Sequence, residues 1–245
     1  MSSEDFPSDN NPEFDNFADH YDAALMRGLR LTGESKSYFA RKRICLLADN
    51  MENLSAKTAS VLDFGCGTGS TTPFFRQHLN ADTITGIDPS DKSLVAARKK
   101  HGSTTSTFIN TRIFKIKSGC DLAYCNGVFH HIQIADRIAA ASQVFDSLKP
   151  GGYFSFWENN PWNPMTRFIM NRVPFDEDAK LLWPKNARAI LCAAGFEIVS
   201  TDFAFIFPAG LKFLRFLEHP LRKLPLGGQY HVLCKKPVQS LVNTD

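Results

Sequence analysis

The residues best suited to chemistry lie in and just after one short stretch, VLDFGCGTGS. An apolar run ends there in Gly65, Gly67 and Gly69, and glycines at the end of a strand permit a tight turn and a close approach of backbone to ligand. Asp63 adds a carboxylate beside the turn, and Asp88 lies 23 residues past Gly65. An acid near this place hydrogen-bonds ribose hydroxyls. The pattern therefore indicates a site for an adenosine-type cofactor.

The glycine spacing separates this pattern from a pyrophosphate site. It is G-x-G-x-G, whereas the dinucleotide fingerprint has its third glycine one residue later, where this chain has Ser70. A pyrophosphate needs the N-terminus of a helix as its anion site, and a cofactor without phosphate does not. A carboxylate such as Asp63 suits a cofactor that carries an ammonium or a sulfonium. The alternative, in which the glycines only turn the chain, leaves both acids unexplained.

Three further side chains could accept a proton. His130 and His131 follow a predicted strand in FHHI, and Glu158 ends the next strand. Histidine is the usual proton acceptor near neutral pH. In the alternative, one histidine packs, the other orders its loop, and Glu158 fixes the loop after its own strand through backbone hydrogen bonds. We take all three as candidate catalytic residues.

The stretch ENNPWNP, which begins at Glu158, is a candidate surface for the second substrate. Its two Asn-Pro steps force extended or turn geometry on the residue before each proline. Trp162 is held between them and could form a wall of a pocket. We expect Trp162 and Asn160 to bind the substrate.

These residues fall at the ends of predicted strands. Apolar runs predict strands at VLDF, TITGID, STFIN, DLAYCNG, YFSFWE, EIVSTDFAF and YHVLCKK, and helical patterns separate most of them. Such alternation predicts a doubly wound α/β fold with a seven-stranded, mostly parallel sheet, which binds ligands beyond the carboxyl ends of its strands. Ser35 and Ser90 are predicted helix N-caps, and Pro73 is expected in the first turn of its helix.

The chain divides into three predicted parts. Residues 1–16 are polar and are predicted to form a flexible tail, and residues 17–57 are predicted to form an N-terminal helical cap. Residues 58–245 form the predicted core. Insertions on the substrate side are expected at 159–184 and, with helices before the last strand, at 208–228.

Composition argues against a nucleic-acid binder, a zinc protein, a membrane-spanning protein and a secreted protein. The net charge of +3 is weak for a nucleic-acid binder. Six cysteines include no Cys-x-x-Cys pair and no zinc spacing, so we expect reduced thiols and no metal. No apolar run reaches the roughly 20 residues that span a bilayer, and the acidic N-terminus is not that of a signal peptide. We therefore expect a cytoplasmic location.

Several motifs together resemble a known family. VLDFGCGTGS, GIDPS, DLAYCNGVFHHI and LKPGGYFSFWE occur in that order over about residues 58–160, and AAGFEIV follows. As a set they resemble the class I S-adenosylmethionine-dependent methyltransferases, in the ubiquinone/menaquinone-methyltransferase-like (type 11/12) branch. The resemblance implies a Rossmann-like fold, S-adenosylmethionine as methyl donor, S-adenosylhomocysteine as product, and no metal.

The resemblance also implies roles for single residues. The glycine turn would wrap the methionine part of the cofactor, with Asp63 near its amino group and Asn126 at its border. Asp88 would hold the ribose, with Pro89 and Ser90 beside it. Where the family often has an acid for the adenine amine, this chain has Asn110 and Thr111. Tyr21, in FADHYD, would close over the cofactor or pack on the core.

The resemblance leaves the methyl acceptor open. Our leading hypothesis is a hydroxyl of a sugar, a lipid-linked precursor or a secondary metabolite; a quinone-type ring carbon and a non-catalytic cofactor-binding regulator are the alternatives. Methylases of DNA amino groups carry an Asn/Asp-Pro-Pro-aromatic clamp after strand four, but here that strand ends in CNGV. ENNPWNP follows strand five, so we expect a small-molecule acceptor and no nucleic acid.

The segment 210–224 alternates leucines with basic residues and contains a proline at 220. It could be a lid on the acceptor pocket, a dimer face, or a surface that contacts a membrane peripherally. We expect a monomer or a homodimer.

Overall fold

A seven-stranded sheet organises the protein. The computed structural model describes residues 32–116, 118–170 and 181–238. The strands are β1 (Ser60–Phe64), β2 (Thr83–Asp88), β3 (Ser106–Asn110), β4 (Cys120–Asn126), β5 (Leu148–Asn159), β6 (Glu197–Ala204) and β7 (Gln229–Lys235). Their order across the sheet is β3-β2-β1-β4-β5-β7-β6. Only β7 runs antiparallel to its neighbours, β5 and β6. The predicted doubly wound α/β fold is confirmed.

Helices cover both faces of this sheet. They are α1 (Lys36–Asn53), α2 (Thr72–Leu79), α3 (Asp91–His101), α4 (Arg137–Ser147), α5 (Pro164–Met170), α6 (Pro184–Ala193) and α7 (Glu218–Leu221). Two 3-10 helices are also present, Ile134–Asp136 and Ala209–Leu217. No helix in the described ranges is long and apolar enough to cross a bilayer.

Side chains and prolines fix the starts of the helices as the sequence predicts. The Ser35 hydroxyl accepts the Tyr38 N–H at the start of α1, and the Ser90 hydroxyl accepts the Ser93 N–H at the start of α3. Pro73 lies in the first turn of α2, where a missing N–H costs nothing.

Three elements differ from their predictions. The stretch after Pro164 forms the helix α5, because the Asn163 side chain accepts the Thr166 N–H and proline suits a first turn. The helix predicted from Ile134 opens as a 3-10 turn before α4 begins. The segment 209–217, whose leucines recur near the spacing of an α-helix, is 3-10 helical with a kink at Leu211.

Two apolar layers flank the sheet. Trp157, Tyr124 and Phe75 are fully buried on the face that carries α1 and α2, and Phe154 and Phe156 are buried on the face that carries α4 and α6. Full burial of such side chains stabilises a fold by about 1.5–3 kcal/mol each. These layers hold the strand ends in register.

The carboxyl ends of the parallel strands form one edge of the sheet, called here the carboxyl edge. The strand order reverses between β1 and β4, which creates the crevice where such folds bind ligands. β6 runs parallel to β5 and ends at this edge, so the segment 205–228 that joins it to β7 also lies there. The fold therefore brings the glycine turn, both histidines and ENNPWNP to one edge. The predicted tail, the first part of the predicted cap (residues 17–31) and Tyr21 lie outside the described residues.

Candidate active site

The glycine turn folds back onto the end of β2. The backbone N–H groups of Gly65 and Cys66 both donate to the Ile87 carbonyl, at 2.8 and 3.0 Å. Gly65 has a φ of +73°, and a Cβ built on it would lie 2.3 Å from a methyl of Val128. Only glycine satisfies both conditions, so the backbone of the turn stays open to a ligand.

Asp88 ties the turn to the next helix. Its carboxylate accepts the Gly67 N–H at 2.8 Å and the Ser90 N–H at 2.9 Å. Ser90 in turn caps α3, and Pro89 stands between the two. The side chain of Asp88 is nearly buried, and two carboxylate oxygens have lone pairs beyond these two bonds. Asp88 therefore organises the turn and joins it to the start of α3.

Asp63 is a buried acid whose bonding capacity is not filled. Its Oδ2 atom has no hydrogen-bond partner among the described residues. Burial raises the pKa of Asp63 to about 7, the neighbouring charge of Asp88 adds to this, and Arg43 opposes it. A buried acceptor without a partner is costly, so this position suits a ligand that brings a cationic donor.

Arg43 is a site residue that our sequence reading missed. It is buried on α1, where its Nε donates to the Tyr124 hydroxyl and one terminal nitrogen donates to the Gln229 side chain, both at 2.9 Å. Among the described residues no carboxylate forms an ion pair with it. A buried guanidinium with only neutral partners is a site for an anion. The available signal was an arginine on the apolar stripe of a helix, next to Ile44.

A polar network continues from Arg43 across the ends of three strands. The side-chain amide of Gln229, at the start of β7, donates to Asn126 at 3.3 Å and to Asn159 at 3.2 Å. All three side chains are half-buried. Asn126 therefore lies at the carboxyl edge as predicted, as part of a network that the sequence did not reveal.

Asn110 is occupied by contacts within the protein. Its amide donates to the Pro89 carbonyl and to the Asp91 carboxylate, and its carbonyl oxygen accepts the Arg112 N–H. It therefore holds the loops after β2 and β3 together. The neighbouring Thr111 is half-buried at the end of β3.

His130 and Glu158 form a buried pair. His130 Nδ1 and Glu158 Oε2 are 2.6 Å apart, and both side chains are almost fully buried. The other oxygen of Glu158 accepts the N–H groups of Phe129 and His130, at 2.8 and 3.3 Å. Glu158 thus fixes the loop after β4, not only the loop after its own strand as the alternative interpretation had it.

The pair sets the charge of Glu158. Burial acts to raise the pKa of this carboxyl, but the charge and hydrogen bond of His130 outweigh it and hold the pKa below its usual value. An ionised carboxylate with both oxygens bonded is a weak base. His131 lies next to the pair, half-buried, with its ring centre 4.0 Å from that of His130.

The ENNPWNP loop is anchored by Asn160. This side chain is completely buried, and it donates to the carbonyls of Pro225 and Gly227 and accepts the Trp162 N–H. Both N–H groups of its amide are used to join two loops, and the predicted contact between Asn160 and the substrate stays a prediction. Trp162 itself is 51% exposed. Its ring packs against Trp183, with centres 5.4 Å apart.

Cysteine thiols and metal ligands are the remaining groups that could do chemistry. All six cysteines are free thiols, and burial raises the pKa of Cys66 within the glycine turn far above its usual value. No group of three potential metal ligands occurs in the described ranges.

Comparisons with known proteins agree with this geometry. Residues 62–154 match the family model described as a methyltransferase domain. A trans-aconitate 2-methyltransferase of Rhizobium leguminosarum bv. trifolii is 31% identical over 100 residues, which cover 39% of this chain and 37% of that protein. This chain thus matches little more than a third of that relative's length.

Two solved structures share the fold over most of the chain. A putative methyltransferase of Haloferax volcanii, in complex with the Trm112 methyltransferase activator, has a TM-score of 0.63 at 18% identity and covers 95% of this chain and 99% of its own. The plantazolicin methyltransferase BpumL, in complex with SAH, has a TM-score of 0.62 at 15% identity and covers 93% and 91%. These matches do not single out the ubiquinone-like branch. The motifs and the domain match identify residues 62–154 as a methyltransferase domain, and the sheet order gives the chain the fold of the class I S-adenosylmethionine-dependent methyltransferases.

Proposed function

We propose that the protein transfers the methyl group of S-adenosylmethionine to a small-molecule acceptor. The observation that carries the proposal is the pairing of Asp63 with Arg43. One is a buried acid without a described partner for Oδ2, the other is a buried cation whose hydrogen-bond partners are neutral, and the charge of Arg43 acts to lower the pKa of Asp63. The amino-acid end of the cofactor carries an ammonium and a carboxylate, so the two residues match its two charges.

The other residues around the turn fit the rest of the cofactor. Gly65, Gly67 and Gly69 all have positive φ and present backbone rather than side chains. We propose that Asp88, at the end of β2, holds the ribose hydroxyls, with Ser90 and Pro89 beside it. Because Asn110 is already bonded within the protein, we propose Thr111 or the local backbone as the adenine contact.

The chain contributes to catalysis by orienting the cofactor and the acceptor and by excluding water from the site. The bound sulfonium supplies an electrophilic methyl, so the protein has to orient the two partners and exclude water. Asn126 and Gln229 lie at the carboxyl edge between the cofactor residues and the ENNPWNP loop. We propose that this network and Trp162 border the acceptor, and that Asn160 holds the ENNPWNP loop in place through its bonds to residues 225–227.

A proton acceptor is required only for some acceptors. A hydroxyl needs help to lose its proton, whereas a carboxylate is already ionised. Because Glu158 is held ionised by its pair, His131 is the remaining candidate base, and His130 with Glu158 positions it. We propose a hydroxyl acceptor first, on a sugar, lipid-linked precursor or secondary metabolite, with a quinone-type ring carbon and a non-catalytic regulator as alternatives.

The relatives add a second candidate acceptor class. Two relatives with about 30% identity are named for methylation of trans-aconitate, a carboxylate. Replacement of His131 by Asn separates the two classes. With a hydroxyl acceptor we expect kcat to fall about a hundredfold or more, with the cofactor affinity unchanged. With a carboxylate acceptor kcat should stay within a few-fold of its original value.

The test of the proposal is a screen of purified metabolite fractions with cofactor labelled in its methyl group. We expect label to appear in one small-molecule fraction. Cofactor binding without transfer to any fraction would favour a regulator, and label in nucleic acid or protein would contradict the acceptor class.

A further inference from the structure

The 3-10 helix Ala209–Leu217 presents an apolar face to solvent at the carboxyl edge. In a 3-10 helix, residues three apart lie on the same face. Phe213 and Phe216 are three apart, and their side chains are 68% and 72% exposed. Leu211 beside them is 42% exposed. We call Phe213 and Phe216 the phenylalanine face.

The helix that carries this face is firmly held. Arg215 donates to Glu34 at 2.7 Å and to the Phe207 carbonyl at 3.2 Å, and its guanidinium lies 4.8 Å from the centre of the Tyr38 ring. Leu214 and Leu217 are half-buried on another face. The exposure of the two phenylalanines is therefore set by an anchored element.

Positive charge surrounds the phenylalanine face. Between residues 209 and 226 the chain has four basic residues and one acidic residue, Glu218. Lys212, Arg222 and Lys223 are exposed, and Asp202 on β6 forms ion pairs with Arg222 at 3.4 Å and with Lys223 at 2.6 Å. The carboxylate of Glu218 is bonded to the backbone N–H groups of Ile206 and Phe207, so it faces inward. The outward charge is therefore net positive, because a single acid, Asp202, stands against three basic residues.

We propose that the phenylalanine face binds the surface of an anionic phospholipid membrane. Aromatic side chains that project beside exposed lysines are the combination that interfacial segments use, with rings at the headgroup boundary and cations on anionic lipids. A second copy of the chain fits less well. A symmetric contact would bring like charges together, and two phenylalanines provide far less than the roughly 800 Å² per partner of a stable interface.

This binding mode orients the active site. The segment 205–228 joins the ends of β6 and β7 at the carboxyl edge, so a membrane on the phenylalanine face lies beside the acceptor site. If the proposed function holds, the acceptor is an amphiphilic molecule drawn from the lipid interface. The membrane binding itself does not depend on methyl transfer.

The test is flotation of the protein with vesicles of phosphatidylcholine alone and of phosphatidylcholine with phosphatidylglycerol, without cofactor. We expect binding to the mixed vesicles, weak binding to phosphatidylcholine, and release at high salt. The double change Phe213→Ser and Phe216→Ser should lower partitioning at least about tenfold, and Lys212→Glu should lower binding to the mixed vesicles alone.

Ile113→Ser is the matched control for the phenylalanine change. Ile113 is 71% exposed and follows β3, which is the outermost strand on the side of the sheet away from β6. This variant should therefore bind vesicles like the unchanged protein. Lys100→Glu, at the exposed end of α3, is the control for charge. Absence of vesicle binding, or equal binding by the phenylalanine variant, overturns the proposal. A dimer in sedimentation equilibrium that the same variant abolishes would assign the face to a second copy instead.

Discussion

At the scale of single residues, Asp63 links stability to cofactor binding. A carboxyl whose pKa is raised to about 7 in the folded state favours folding below its unfolded pKa of about 3.8, and this advantage disappears as pH rises through 7. Above pH 7 the protein therefore holds a buried, ionised acid whose Oδ2 has no described partner. This cost is offset when a cationic ligand binds.

Asp63→Asn tests that link. Removing the charge should raise the free energy of unfolding at pH 8 by on the order of 2 kcal/mol, and the gain should shrink toward pH 5. The same variant should lose the rise in melting temperature that S-adenosylmethionine gives the unchanged protein. Denaturant titrations at both pH values, with and without cofactor, measure both effects. A variant that is no more stable at pH 8, or that keeps the cofactor response, would contradict our reading of Asp63.

Glu158 shows the opposite dependence on pH. Its pKa is held below the ordinary value of 4.5, so its contribution to stability is present above pH 4.5 and disappears as pH falls through the folded pKa. Glu158→Gln should therefore lower the free energy of unfolding at pH 7 by roughly 3 kcal/mol, because it breaks a buried pair. The loss should fade in acid. Glu197→Gln, exposed at the start of β6, is the control, and an equal loss in both variants would contradict the pairing.

The candidate site could be predicted where a residue has a local sequence pattern. The glycines and Asp88 lie in a motif, and the structure places them together. Arg43 and Gln229 have no such pattern, because they meet only when α1 and β7 pack across the sheet. Asn160 has a pattern, but the pattern cannot show that its side chain is turned toward the loop at 225–227.

At the scale of elements, the glycine turn allows a matched comparison. Gly65 and Gly67 both have positive φ, but a Cβ on Gly65 would meet Val128 at 2.3 Å whereas a Cβ on Gly67 would meet nothing within 4 Å. Gly67→Ala should cost only the backbone strain of about 1 kcal/mol. Gly65→Ala should cost several times more. Thermal melts of the two variants measure the difference, and equal costs would show that the turn is less closely packed than described.

In the ENNPWNP loop, Asn160 holds the loop in place and Trp162 is the proposed contact to the acceptor. Trp162→Ala removes a half-exposed ring and should raise the acceptor KM several-fold, with cofactor affinity unchanged. Asn160→Ala removes the donor from the buried Gly227 carbonyl and from the Pro225 carbonyl, and should cost about 1–3 kcal/mol of stability. Calorimetry with the cofactor and steady-state kinetics separate the two outcomes. If Trp162→Ala abolished cofactor binding, the loop would be structural and our assignment wrong.

Prediction of the elements succeeded where strand and helix patterns are strong and failed where short-range detail decides. Val61–Phe64 and the helix from Asp91 have clear apolar runs and caps. The leucines of 211–221 suggested an α-helical period, and the structure has a 3-10 helix because the short segment between β6 and β7 is held by Arg215 and Glu218. No local sequence pattern predicts such long-range contacts.

At the scale of the whole molecule, topology rather than sequence proximity assembles the site. Residues from α1, β1, β2, β4, β5 and β7 meet at the carboxyl edge, although they are spread from Arg43 to Gln229. The alternation of elements predicted a mostly parallel sheet, but no sequence pattern indicated that β7 lies antiparallel between β5 and β6. The predicted cap at 17–57 stays a prediction, since only its part from Thr32 is described.

The most direct measurement is a calorimetric titration of the folded protein with S-adenosylmethionine, repeated with Asp88→Ala and with Arg43→Gln. We predict one site per chain with a dissociation constant between about 1 μM and 1 mM, the usual range for small substrates. We expect both variants to bind at least tenfold more weakly while they remain folded. No binding up to millimolar concentration, or unchanged affinity in both variants, would contradict the account.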